Sequence, residues 1–382
     1  MRLRQLVAGS GPRITGLSVA VAALNSCNLT SPSGGNDPAF SDAPTGIYCS
    51  VKPEEIYTGG VGLDGIVSLV NPPLVPIDHP DARYMAEYAA TVPSNPDAVE
   101  PRVVALLIDE LELAVPLNIL WWHEIVHLDV AGRRVAVTYC PLTGSSLAFD
   151  ASSAPTRRFL VSGLLFQNNL IMADEETGSL WPQMCARAAR GARQGTELTP
   201  IPVVEMSWEA WKARHPRGLI VGSRTQRPRD YAVYPYPSYE RIDLVPFPLS
   251  RPLDRRRPPK ERVFGVPRSE GGLALPFGIL DKSQTAVAYE TIGSQPIIIL
   301  WDAAARAAAA FYPRTRDGQP VELRPHQRGF VDSSTGTIWD VEGRAIAGPL
   351  EGQRLVPYAQ AHVAYWFAWA AFHPATRIWS AE

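Results

Sequence analysis

Residues 119 to 150 read ILWWHEIVHLDVAGRRVAVTYCPLTGSSLAFD. The fold turns on whether HEIVH, residues 123 to 127, is helix or strand. On a helix it would be the zinc-peptidase signature H-E-x-x-H, because helical spacing puts both His on one metal with the Glu beside it. The flanking pattern argues for strand. Val126–Val130 and Arg133–Tyr139 flank Ala131-Gly132, and the second arm alternates as Val135, Val137, Tyr139, which is a hairpin pattern. In extended chain His123 and His127 stand roughly 13 Å apart, too far for one zinc. No third ligand follows at metzincin spacing. A zinc metallopeptidase working through HEIVH therefore ranks last among the functional readings.

The hairpin makes a sharper expectation. If Ala131 and Gly132 form a two-residue loop, His123 lies directly opposite Cys140, with Cβ atoms about 5 Å apart. A thiol beside an imidazole can be held as thiolate, a nucleophile or a soft metal ligand. A three-residue loop would shift the register by one and turn Cys140 to the other face. The bland alternatives are a small buried thiol for Cys140 and a hydrogen-bonded core histidine for His123.

Outward from this stretch the pattern is strand-rich. Short strands are expected at Val103–Ile108, Leu111–Val115, Ser145–Asp150, Arg158–Gly163 and Asn169–Ala173. Ser207 is a good N-cap for a short helix, Trp208–His215, stopped by Pro216. A second passage resembles the first. Leu113 to Leu120 (LAVPLNIL) matches Leu273 to Leu280 (LALPFGIL), and Thr177-Gly178-Ser179-Leu180-Trp181 matches Thr335-Gly336-Thr337-Ile338-Trp339. Trp208, Trp211, His215 and Pro216 match Trp366, Trp369, His373 and Pro374. Several matches in one order point to tandem duplication. Val135–Phe149 then aligns with Ile297–Phe311, so Asp302 stands where Cys140 stands.

The expected fold is thus α+β and β-rich: two tandem pseudo-repeats of antiparallel strands and hairpins, each ending in a short helix. The first repeat spans 59–222 and the second, lacking the Cys and both His of the motif, spans 263–382. Residues 223–262, rich in Tyr, Pro and Arg (YPYPSYE, RPLDRRRPPKER), are expected to cross between them as an ordered strap.

The chain has 382 residues, 46% hydrophobic and 19% charged, with a net charge of −2 and 36 prolines. That is enough for a large core. The absence of a basic block beyond Arg255–Arg257 argues against nucleic acid as a partner. Cys27, Cys49, Cys140 and Cys185 fit no zinc-finger or CxxC spacing, and one bridge among the last three stays open. Arg2, Arg4 and Arg13 precede the apolar run Ile14–Leu24, as in a secretory signal too short to span a membrane. Leu24-Asn25-Ser26-Cys27 then resembles a bacterial lipoprotein box. Residues 1–27 are read as a signal peptide, with Cys27 lipidated and anchoring the protein to the membrane; plain secretion is the alternative. Residues 28–58 are read as a flexible tether.

The sequence also resembles the domain of unknown function 3179 family. The residues that carry the resemblance are DGI at 64–66, PLNILWWHEIV, AGRRVAVTYCPLTG, VSGLLFQNNLIM, ETGSLW, WKARHP at 211–216, RDY at 229–231 and PPKERVFGV at 258–266. The resemblance implies Tyr-Cys-Pro-Leu-Cys after the hairpin, and some relatives are described as selenoproteins. Here position 143 is Thr, so a CxxC couple cannot operate. Members usually carry Asn at the position of His127. Cys140, His123 and Glu124 match the motif.

The leading expectation is an extracytoplasmic protein of the bacterial cell envelope with a thiol- or metal-dependent site. Cys140 would be nucleophile or ligand, His123 its partner, and Glu124 an orienting or proton-transfer group. The metal, bound by Cys140 and His123, would be zinc or copper. The rival is a non-catalytic binding or envelope-scaffold protein in which Cys140 is structural.

Overall fold

The hairpin is formed with the two-residue loop. In the computed structural model, strands Ile125–Val130 and Arg133–Cys140 pair from Ile125 opposite Thr138 to Val130 opposite Arg133. Ala131 and Gly132 both take positive φ, 49° and 70°, as the tight turn that matches strand twist requires. The structure describes residues 47–380 except 97, 155, 269, 270, 283 and 284. The signal segment 1–27, Cys27 and residues 28–46 of the expected tether lie outside the described residues.

The architecture is β-rich α+β, with six small sheets among the described residues. Only short helices interrupt the strands, the longest being Arg83–Thr91. Pro recurs at the ends of strands and helix starts, where its missing N–H is tolerated.

The order of elements in residues 102–221 returns in residues 262–378. Arg102–Leu106 and Leu113–Pro116 form an antiparallel pair flanked by Val203–Ser207 and, in parallel, by Leu219–Val221. Arg262–Val266 and Leu273–Pro276 form another, flanked by His362–Tyr365 and, in parallel, by Arg377–Ile378. Each pair runs into a short helix, Leu117–His123 or Phe277–Leu280, and then into a three-stranded meander. Cys140 ends the middle strand of one meander, opposite Ser145. Asp302 ends the middle strand of the other, opposite Ala307.

The two passages clasp each other. The backbone N–H of Tyr365 donates to the carbonyl of Thr143, in the turn after Cys140. The N–H of Ser207 donates to the carbonyl of Ala305, in the turn after Asp302. Each short helix, Trp208–Arg214 and Trp366–Phe372, therefore starts against the other passage's turn. The cores are shared accordingly: Cys140, Phe149 and Phe166 lie in one apolar cluster with Tyr365, Trp366 and Trp369. A buried ion network pins the same seam. Glu205 accepts from Arg102 at 2.8 Å and from Arg262 at 2.7 Å, and its second oxygen accepts from Ser146.

One boundary moves. Ordered structure begins by Ile47, not at residue 59: Ile56–Thr58 is an edge strand paired with Phe166, Leu165 and Leu164, and Cys49 is bonded to Cys185. The crossing segment is ordered, with Tyr231, Tyr234 and Tyr239 buried.

Candidate functional site

The helix Leu117–His123 runs into the first residue of HEIVH, and this decides the fate of the motif. Leu117, Ile119, Leu120 and Trp121 are all fully buried, so every side of the first turns packs. Glu124 then caps the helix with φ 55° and ψ −31°. Its N–H bonds to the Leu120 carbonyl at 2.8 Å, and its own carbonyl accepts the Tyr139 N–H at 2.8 Å. A glutamate at positive φ is strained by roughly 1–3 kcal/mol. That residue converts helix to strand in one step.

Two expectations are corrected here. His123 does not face Cys140 across the hairpin, because it is the last helical residue and the strand begins at Ile125. Its Nδ1 lies 2.7 Å from the Val67 carbonyl and its Nε2 2.8 Å from the Tyr231 hydroxyl. Both nitrogens are occupied away from the thiol, and burial pulls the imidazole down to about 4. HEIVH, expected to be extended throughout, begins at the end of the helix and enters the strand at Ile125. His127 sits in the strand, where its Nε2 pairs with the Phe159 backbone. Burial pulls it, too, down to about 4.

Glu124 instead neighbours Cys140: its carbonyl pairs with the adjacent Tyr139, and its charge acts on the thiol. The Cys140 side chain is 1% exposed and unbridged. The Leu170 N–H points at its sulfur from 3.3 Å, and the Asn168 carbonyl lies 3.7 Å away. Asn168 lies in the tight turn Gln167-Asn168, both at positive φ, and Leu170 in the strand that follows. Burial, and then the Glu124 charge, push the thiol up to about 11. The Glu124 side chain is 8% exposed and makes no hydrogen bond among the described residues, and its carboxyl oxygens keep slight contact with solvent. Burial alone pushes it up to about 8.

Aromatic residues enclose the pair. Tyr236 feels the charges of both Glu124 and Cys140. The Tyr239 hydroxyl donates to the Leu142 carbonyl at 2.9 Å, holding the turn after Cys140. The Tyr365 ring presses on the same turn: a Cβ on Gly144 would lie 2.7 Å from it. The Tyr365 hydroxyl is buried without a partner among the described residues. Lys260 lies over the Tyr239 ring, 3.1 Å from its centroid, and donates to the Tyr239 carbonyl at 3.0 Å. Burial draws its amine down to about 7. For Tyr236, Tyr239 and Lys260 the only signal in the sequence was the tyrosines of YPYPSYE and the one lysine of PPKERVFGV.

Thr143, where the resemblance implies a second Cys, is committed to a buried polar network. Its hydroxyl meets Ser145 at 2.9 Å and accepts from Asn169 at 3.0 Å. Asn169 also donates to Gln183 at 2.8 Å, and Gln183 donates to Thr138 at 2.8 Å. Among the described residues no three His, Cys, Asp or Glu side chains are grouped to hold a metal ion. Zinc needs three or four such donors, and Cys140 with Glu124 supplies two, so the residues present do not fit a zinc or copper centre.

A family described as "Protein of unknown function (DUF3179)" matches residues 65–376. The chain belongs to that family. The match covers the hairpin, the Cys140 turn, the crossing segment and both short helices. No curated protein and no solved structure matches the chain.

Proposed function

We propose that this DUF3179 protein works outside the cytoplasm, held to the membrane by lipid on Cys27, and performs thiol chemistry at Cys140 with Glu124 as proton acceptor. The observation that carries the reading is Glu124. A largely desolvated carboxyl without a hydrogen bond costs stability, and this one adds a strained backbone. Such costs gather at functional sites. A carboxyl that titrates at about 8 is ionised often enough near neutral pH to take a proton from a thiol. The step balances without an outside oxidant. Glu124 accepts the Sγ proton, the thiolate attacks one sulfur of a substrate disulfide, a mixed disulfide forms, and the released thiolate recovers the proton. The Cys49–Cys185 bridge supports an oxidising compartment.

A second reading is an envelope binding or scaffold protein with an inert thiol. The 1% exposure of Cys140 and its elevation to about 11 favour it. One experiment separates the two. Folded protein is treated with methyl methanethiosulfonate between pH 5 and 10, and adduct formation at Cys140 is followed by mass spectrometry. Thiol chemistry assisted by Glu124 gives a rate that rises with a midpoint near 8, and Glu124→Gln loses that phase. No adduct until the protein is unfolded, or a rate unchanged by Glu124→Gln, overturns the first reading and leaves the second.

A further inference from the structure

Trp208–Arg214 and Trp366–Phe372 both end on a histidine, and the two histidines have opposite surroundings. His215 bonds through Nε2 to Glu342 at 2.7 Å, and its Nδ1 lies 3.6 Å from Glu112. His373 is wholly buried and makes no hydrogen bond through either ring nitrogen among the described residues. A second buried imidazole stands close by. His362 lies three residues before the cap of its helix, where the other passage has Val204. Its Nδ1 donates to the Gln360 carbonyl at 2.9 Å, and its Nε2 has no partner among the described residues. Both rings lie against Trp369, His373 stacked at 3.8 Å and His362 edge-on at 5.5 Å.

Neutral imidazoles suit this place and charged ones do not. Burial pulls His362 down to about 4 and His373 well below its ordinary 6.5, and the charge of His362 adds to the effect on His373. The Gln360 and Gly271 backbones offset only part of this. Charged groups on the surrounding elements are engaged elsewhere. Arg262 holds Glu205, Arg268 and Arg377 share Glu290, and Arg256 holds Asp254 and the Thr376 carbonyl. The helix itself (WFAWAAF) and the strand Leu273–Pro276 carry no charge. Glu270 lies outside the described residues.

The helix that these histidines secure is the one that covers Cys140. The Tyr365 N–H holds the Thr143 carbonyl, the Tyr365 ring presses on Gly144, and Trp366 and Trp369 share the thiol's apolar cluster. We infer that His362 and His373 form an acid-sensitive latch: on taking up protons they release helix Trp366–Phe372 and admit solvent and a disulfide substrate to Cys140. The purpose of the latch rests on the thiol reading; the movement does not. Imidazoles on a released helix return to their ordinary 6.5. Each then favours release by about tenfold per pH unit below that value, and the two together by up to about a hundredfold.

The test is amide hydrogen exchange of the full chain from about pH 4.5 to 7.5, corrected for the intrinsic pH dependence of exchange. In parallel, Cys140 is labelled with dithiodipyridine, a disulfide that reacts with thiols in acid, and read by peptide mapping. As pH falls below 6.5 the opening constant of Trp366–Phe372 should rise more than about tenfold per pH unit, and labelling of Cys140 should rise with it. Amides of Ala307–Thr315 should stay protected, which separates release from global unfolding. His362→Val and His373→Gln should each reduce the dependence to about tenfold per pH unit or less, and the double variant should lose it. Either single variant suffices if the other fails to fold. Glu270→Gln should change nothing. Helix exchange that does not vary with pH, a dependence kept in the double variant, or one lost in Glu270→Gln overturns the latch. So does release of the helix without labelling of Cys140. Helix exchange is read whether or not Glu124→Gln alters the thiol's rate, so failure of the latch and failure of the thiol reading are distinct results.

Discussion

Replacing Glu124 by Gln should stabilise the protein in alkaline solution and leave it nearly unchanged in acid. The sign follows from proton linkage. Folding raises this carboxyl from an ordinary 4.5 to about 8 by burial. Below 4.5 both folded and unfolded states hold the proton, and Glu124 contributes no pH dependence. Between 4.5 and about 8 the unfolded chain has released its proton and the folded chain has not, so stability falls as pH rises. At about 1.4 kcal/mol per pH unit, that interval amounts to on the order of 5 kcal/mol as an upper limit, since water entry relaxes part of it. Gln keeps the shape and cannot ionise. Urea unfolding of both proteins at pH 5, 7 and 9 reads the difference directly. The variant's advantage should be near zero at pH 5 and several kcal/mol at pH 9. A difference that does not grow with pH, or that grows in favour of wild type, would refute the claim that the carboxyl is buried without a partner. His123 and His127 bend the curve the other way. Both are held neutral, near 4 instead of 6.5, so the stability they confer is complete above 6.5 and is lost as pH falls toward 4. Wild type should accordingly be most stable near pH 6 to 7, while the variant's plateau extends to higher pH.

The Cys49–Cys185 bridge closes a separation of 136 residues. Chain entropy gives such a loop about 5 kcal/mol, so Cys49→Ser should lower the melting temperature of oxidised protein and abolish its sensitivity to reductant; melting with and without dithiothreitol checks both. Glu205 bridges Arg262 and Arg102, the latter also paired with Glu240, and Glu205→Gln should cost about 3–5 kcal/mol by leaving Arg262 without a counter-ion. Chemical denaturation measures it, and a loss below about 1 kcal/mol would mean that water reaches the network.

The hairpin was legible because its two signals agree. Val135, Val137 and Tyr139 alternate, and Ala131-Gly132 interrupts the run where a tight turn fits. The β-rich class was legible for the same reason, summed over many short runs. The end of the preceding helix was not. Leu117 to Trp121 packs all round, so it carries no amphipathic period, and nothing in Trp-His-Glu says that the glutamate will take φ 55°. That single backbone angle removed His123 from the face of Cys140, although of the two registers left open the hairpin takes the two-residue loop. The Cys49–Cys185 pairing was illegible because three cysteines allow three bridges, and only the tertiary fold selects one. Tyr239 and Lys260 were missed because long-range packing, and not local periodicity, brings them to the turn after Cys140.

The positions of Cys140 and Asp302 show how one backbone arrangement can be put to two uses. Each ends a middle strand, and each is followed by a turn whose carbonyl receives an N–H from the opposite passage. The difference lies in what covers the turn. Over Cys140 the rings of Tyr239 and Tyr365 close down, the carboxyl of Glu124 is shut in, and the low-dielectric surroundings raise acid and thiol together. Over Asp302 the cover is Arg214, a side chain that neutralises the carboxylate and leaves space beside it. A thiol at 302 would face water and arginine and would ionise more readily; a carboxylate at 140 would lie against Glu124 and lack a counter-ion. The residue types at the two turns are therefore not interchangeable. The enclosure, more than the strand ends, determines which chemistry each turn can support.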